Sequence, residues 1–131
     1  MSTAKPREMQ VLVVPILRAD TSATTYGKLG RDTFIAGVEV VQTSDAATAA
    51  GTIDIGDASD ADSILDAFSM ATTKVGHVTA GTKYGVKVGT KLTSDITVAC
   101  TYTVGSSTAG GEGYAIIKYF VPGPGETGIG D

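Results

Sequence analysis

The sequence contains no tryptophan, one cysteine and one histidine among its 131 residues. A single cysteine excludes a disulfide within the chain, and the scarcity of cysteine and histidine argues against a zinc site. A catalytic site that pairs a nucleophile with histidine could use only His77, and no Gly-x-Ser-x-Gly elbow is present. We therefore expect His77 to be an ordinary strand or turn residue, Cys100 to be a buried thiol, and the chain not to be an enzyme.

Charge and long apolar runs are also scarce. Charged residues make up 18% of the chain, the net charge is −4, and the basic residues form no stripe of the kind that binds nucleic acid. The longest apolar run, residues 11–17, contains Pro15 and is far shorter than a membrane span. The first ten residues lack the apolar stretch of a secretory signal. We expect a protein made in the cytoplasm, with neither nucleic acid nor membrane as a partner.

What the sequence does contain is a series of short β-branched segments separated by small residues. The clearest strand is residues 96–104, where Ile, Val, Cys, Tyr and Val alternate with Thr and Ala, which indicates one buried face and one threonine-rich outer face. Pro15 has no N–H to donate, so its strand is predicted to lie at a sheet edge, to be bulged or to end near Pro15. Gly37 indicates a bulge or a close backbone approach in its own strand. Further strands are predicted at residues 9–17, 33–43, 51–55 and 114–121, the last a central strand because it is apolar on both faces.

The whole pattern predicts six to eight short strands and no sustained helix. Residues 18–32 have no period and are predicted to be a long exposed loop. Ile64, Leu65 and Phe68 have helical spacing, so residues 63–68 are predicted to form one helical turn capped by Asp62. The predicted fold is all-β, an antiparallel sandwich or barrel with one short helical turn at most. A jelly-roll and an immunoglobulin-like strand order have similar strand counts, so the pattern leaves both open.

Composition divides the chain into one domain with two extensions. Residues 1–8 are polar and contain Pro6, and we expect a flexible N-terminal arm. Residues 9–121 are predicted to be a single β-sandwich domain. Residues 122–131 are rich in Pro and Gly and are predicted to be a tail that is flexible or becomes ordered on a partner.

Few residues suggest chemistry. Asp57, Asp60 and Asp62 are the strongest candidates for a cation site, but they lack the glycine and bidentate glutamate of an EF-hand loop. We therefore favour a solvated turn and expect no metal and no cofactor. Tyr26 and Tyr84 lie in loop-like sequence and could stack on a sugar, which would suit a carbohydrate-binding sandwich.

Two stretches resemble the decoration proteins of tailed bacteriophages, also called cement or head-stabilising proteins. The first is VEVVQTSDAATAAGTIDIGDASDADSILDAF, residues 38–68. The second is DITVACTYTVGSSTAGGEGYAIIKYFVP, residues 95–122, which is similar to the last hairpin of that group.

This resemblance implies a function without catalytic residues. Decoration proteins are typically β-sandwiches, often jelly rolls, so the resemblance implies a jelly-roll-like sandwich. They bind the outside of an assembled capsid and stabilise it by bridging subunits of the major capsid protein. By that resemblance we expect a homodimer or homotrimer on the capsid surface of a virion. The alternative is a phage tail or spike module, or a carbohydrate-binding β-sandwich.

Overall fold

A computed structural model describes residues 8–45, 51–70, 76–79, 83–105 and 109–122, with only the backbone described for 76–79. These residues form eight β-strands, namely β1 (Gln10–Ile16), β2 (Thr24–Leu29), β3 (Phe34–Gln42), β4 (Gly51–Gly56), β5 (Leu65–Met70), β6 (Gly76–Thr79), β7 (Ile96–Val104) and β8 (Gly113–Phe120). No helix in these ranges is long and apolar enough to cross a membrane.

The strands form two antiparallel four-stranded sheets, with orders β1-β8-β3-β6 and β2-β7-β4-β5. Every consecutive pair of strands except β4 and β5 lies in opposite sheets. This arrangement is that of an eight-stranded jelly roll. The prediction of an all-β antiparallel sandwich is confirmed. β7 and β8 lie in different sheets, so the expectation that residues 95–122 contain a hairpin is wrong.

The core lies between the sheets and is formed by alternate residues of the strands. Its largest fully buried side chain is Tyr102 on β7. The inner positions of β8 and β3 supply Ala115, Ile117, Ile35, Val38 and Val40, and the facing sheet supplies Leu29, Ile53, Ile55, Val98 and Cys100. The predictions that Cys100 is buried and that β7 alternates are confirmed.

The first sheet is arranged as the sequence predicts. β1, which contains Pro15, is an edge strand, so the missing proline N–H need not pair on its outer side. β8 lies between β1 and β3, the central position predicted from its apolar sequence. The register between β3 and β8 shifts between Ile35 and Gly37, which confirms the predicted bulge.

The helical turn predicted at residues 63–68 is wrong, because a β-bulge imitates helical spacing. On β5, Leu65 pairs with Ile55 and Phe68 with Ile53, so three residues of β5 span two of β4. The extra residue lets Leu65 and Phe68 both point into the core. Ala67, in the bulge, has φ of 50°, and its N–H donates to Asp54 Oδ1 at 2.7 Å.

The loop predicted at residues 18–32 is also wrong in part, because it contains β2. This strand pairs with β7 through a register shift between Thr25 and Gly27. The bulge and the lack of alternating apolar residues hide the strand in the sequence. Only Leu29 of this strand is fully buried, which fits an edge position.

The outer edge of β3 is covered along its length by two different segments. β6 pairs with β3 from Glu39 to Gln42. Beyond β6, the Tyr84 hydroxyl accepts from the Val38 amide at 3.2 Å and lies 3.3 Å from the Val38 carbonyl. Further along, Gly89 N–H donates to the Ile35 carbonyl at 2.7 Å. The segment 84–92 thus continues the position of β6 and satisfies an edge that would otherwise be open.

Candidate interaction surface

The outer side of the β1-β8-β3 part of the first sheet is apolar and exposed, and we call it the apolar face. Register aligns Val13 with Ile116 and Pro15 with Tyr114, so outward residues of neighbouring strands form continuous rows. The face comprises the outward residues Val11, Val13, Tyr114, Ile116, Val41 and Phe120. Val11, Val13 and Tyr114 are 54%, 47% and 46% exposed.

Both ends of the apolar face continue it. Met9 and Leu17 precede and follow β1 at the same alternation as Val11 and Val13, and both are exposed. On the other side, the Phe34 and Phe120 rings stack with centroids 5.1 Å apart. Large exposed apolar side chains that are contiguous mark interaction surfaces.

One ion pair lies within this face. Lys118 Nζ is 2.9 Å from Glu39 Oε2, and the two side chains belong to adjacent strands. On a surface of this exposure the pair contributes little to stability. Because the two opposite charges lie next to each other, this ion pair adds no net charge to the centre of the apolar face.

The outer side of the second sheet is different. β7 presents Thr97, Thr101 and Thr103 there, as its sequence predicts, and β4 adds Thr52 and Asp54. This polar face has the composition of a sheet surface in contact with water. The two outer faces of the sandwich are therefore chemically distinct.

A cavity of about 540 Å³ opens between the turn at residues 57–59 and the segment 87–97. Its charged groups have partners within the chain. Lys87 Nζ is 3.2 Å from Asp57 Oδ2, and Asp95 Oδ1 accepts from the Arg31 amide at 2.7 Å. The cavity therefore presents groups that already stabilise the loops around it.

The three aspartates considered as candidate cation ligands, Asp57, Asp60 and Asp62, have different surroundings. Asp57 is buried, and its Oδ1 accepts from the Ser59 and Asp60 amides at 2.9 Å each. Asp60 bonds to Asp62, which raises the pKa of the Asp60 carboxyl. Asp62 lies with Asp54 and Asp66, their carboxylate oxygens within 4.8 Å of one another. Asp54 also accepts the hydrogen bond from the Ala67 amide in the β5 bulge, so one member of this cluster already stabilises the fold.

Asp57 gives a prediction for acid stability. Burial would raise the pKa of its carboxyl, but hydrogen bonds from the Asp60 amide, Lys87 and the Ser59 amide outweigh burial and lower it below 3.8. A lowered folded-state pKa stabilises the fold above the unfolded pKa, and that stability is lost as pH falls through the folded value. Asp57→Asn should therefore reduce the free energy of unfolding by about 1–2 kcal/mol at pH 7, and less as pH falls below 3.8.

Urea unfolding of the wild type and of Asp57→Asn from pH 7 to pH 2 measures the difference in their free energies of unfolding. Lys87→Gln is the matched variant, since it removes the other half of the same ion pair. A difference between wild type and Asp57→Asn that stays constant down to pH 2 would show that the Asp57 charge does not contribute.

The two tyrosines considered for sugar stacking both use their hydroxyls within the chain. Tyr26 donates to Asp20, and this bond raises the Tyr26 pKa to about 12. Tyr84 bonds to the backbone of Val38, as described above.

The pKa of Cys100 is raised to about 12 by burial, so the thiol is protonated and unreactive at neutral pH. His77 lies in β6, where its backbone pairs with Val41 of β3. It is therefore a strand residue, one of the two positions expected for it.

The apolar face was not among the residues singled out from the sequence. The signal that could have found it is the apolar character of both sides of residues 114–121, which also fits complete burial. Only the strand order, which places this sheet on the outside of a two-layer sandwich, shows that one side is uncovered.

Comparison with known proteins gives a likeness of fold. No protein-family model matches the sequence, and no curated protein matches it. The structure is similar to a chain of the cyanophage Pam1 capsid asymmetric unit, with a TM-score of 0.65 and 16% identity. The similarity covers 93% of this chain and 89% of that one, so it includes both sheets.

Proposed function

We propose that this chain is a structural protein of a bacteriophage virion, without enzymatic activity. It binds the outside of an assembled capsid as an oligomer and stabilises the shell by bridging subunits of the major capsid protein. The observation that carries the proposal is the likeness over 93% of the chain to a component of a phage capsid asymmetric unit. The sequence resemblance of residues 38–68 to decoration proteins supports it independently.

Bridging requires at least two contact surfaces on one protein or oligomer. An oligomer presents each of its contact surfaces once per copy. The two terminal extensions are suited to be such a surface, because the ends of the domain from which they extend lie at the same end of one sheet. Gln10, near the start of β1, pairs with Tyr119, near the end of β8. The two ends of the domain from which the extensions continue therefore lie at the same end of the sheet, and the proposal is that both extensions contact the same neighbouring subunit; residues 1–7 and 123–131 lie outside the described residues.

Co-sedimentation with capsids that lack this protein tests the proposal. We expect saturable binding at a fixed ratio to the major capsid protein. Deletion of residues 1–8 or 122–131 should weaken binding without changing the thermal unfolding midpoint of the domain. Wild-type protein that stays in the supernatant at all concentrations would contradict a capsid function. Normal binding by both truncations would contradict the function given to the extensions alone.

A further inference from the structure

We infer that the apolar face is covered by a second copy of this chain. The inference rests on the oligomer included in the proposed function and deepens it by naming the surface through which the copies meet. It follows from the size of the face, its charge, and its contrast with the polar face.

The size of the face fits a subunit interface. The five most exposed residues of the face and its ends each leave 40–54% of their surface uncovered: Met9, Val11, Val13, Leu17 and Tyr114. The partly exposed neighbours Pro15, Val41, Ile116 and Phe120 extend this area toward the roughly 800 Å² that each partner of a standard interface buries.

The charge of the face favours an identical partner. Its Glu39 and Lys118 compensate each other 2.9 Å apart, so two copies can meet there without leaving an unpaired buried charge. The aspartate cluster Asp54, Asp62 and Asp66 belongs to the other side of the sandwich. With sheets about 10 Å apart, two copies meeting through the apolar face keep these clusters roughly 30 Å apart, well beyond the ~8 Å screening length at physiological salt.

The apolar character of the face favours a permanent contact over one made during capsid binding. A protein that binds finished capsids exists first in free solution, where a large uncovered apolar surface promotes aggregation. Permanent homo-oligomer interfaces are the more apolar class, and contacts between separately folded partners are about as polar as an ordinary surface. The polar face and the terminal extensions then remain available to the capsid.

Charged substitutions on the face test the inference. The variants are Val13→Asp and Tyr114→Asp, with Thr103→Asp as the matched control on an exposed strand position of the polar face. Light scattering and sedimentation equilibrium give the mass. We expect wild type at twice 13.3 kDa, because a contact between the same face of two copies closes as a dimer. Each face variant should raise the subunit dissociation constant by about 100-fold or more, because an unpaired charge would be buried, and Thr103→Asp should change it by less than about threefold.

A second measurement uses the unmodified protein, so it holds even if a face variant fails to fold. Hydroxyl-radical footprinting across a dilution series should show Met9 and Tyr114 protected at high concentration and exposed on dilution, with Val86 equally reactive throughout. A monomeric wild type, or an oligomer in which Met9 and Tyr114 stay reactive, would overturn the inference.

Parallel capsid sedimentation separates this inference from the proposed function. A wild-type monomer that binds capsids through Val13 and Tyr114 overturns the inference and leaves the capsid function standing. An oligomer disrupted by both face variants that ignores capsids supports the inference and removes the proposed function.

Discussion

Replacing Tyr102 with alanine should lower the free energy of unfolding by about 4 kcal/mol, the cost of removing a large aromatic side chain from a packed core. Tyr102 is the largest fully buried side chain, on the central strand β7. Its hydroxyl donates to the Gly111 carbonyl at 2.8 Å, which ties the core to the loop before β8. The Arg18 guanidinium lies 5.8 Å from the ring centroid and loses that contact as well.

Tyr102→Phe is the matched control, because it keeps the ring and removes only the hydroxyl. We expect it to cost about 1–2 kcal/mol, for one lost hydrogen bond and one buried carbonyl left unpaired. Urea unfolding at one fixed protein concentration measures both variants, since the midpoint of an oligomer depends on concentration. Equal losses for Ala and Phe would show that the hydroxyl, and not the ring, stabilises this part of the core.

Gly85→Ala should lower the free energy of unfolding by about 3 kcal/mol, the upper end of the cost of forcing extra atoms into a packed site. This is the second largest effect that we expect. A Cβ at Gly85 would lie 2.3 Å from the Asp62 carbonyl oxygen and from the Ser63 carbonyl carbon, and backbone atoms cannot move aside as a side chain can. The Gly85 amide also donates to the Ile64 carbonyl at 3.0 Å. Separating these segments would displace Tyr84 from the edge of β3.

The control for this variant is Gly30→Ala. A Cβ at Gly30 would have only Asp95 Oδ1 near it, at 3.9 Å, which is an ordinary contact. We expect the free energy of unfolding to change by no more than about 0.5 kcal/mol. A slight increase would arise because alanine leaves the unfolded chain less conformational entropy than glycine does. Thermal unfolding followed by circular dichroism compares the two, and similar midpoints for them would contradict the close approach of residues 84–92 to the turn before β5.

The sequence predicts those strands whose burial alternates or is continuous. β7 alternates buried and more exposed residues from Ile96 to Thr103, and an edge position is one of those that Pro15 predicts. Where a strand contains a bulge, the same use of residue periodicity gives a wrong prediction. One bulge in β5 gives Leu65 and Phe68 a helical spacing, and another in β2 removes the alternation that would have revealed the strand.

The functional surface is harder to predict than the fold. Tyr114 and Ile116 alternate with the buried Ala115 and Ile117, so both sides of β8 are apolar in the sequence. Periodicity cannot tell a side covered by the second sheet from a side left open. That distinction depends on strand order, which arises from contacts distant in the chain and has no local signal.

A protein that bridges capsid subunits should make the capsid more resistant to the pressure of the DNA inside it. The most direct test is the temperature at which capsids lacking the protein release their DNA, measured by dye fluorescence with and without added protein. We predict a higher release temperature that saturates at the same ratio of protein to major capsid protein as binding does, and no increase with a variant that fails to bind. An unchanged release temperature at saturating binding would contradict the bridging function.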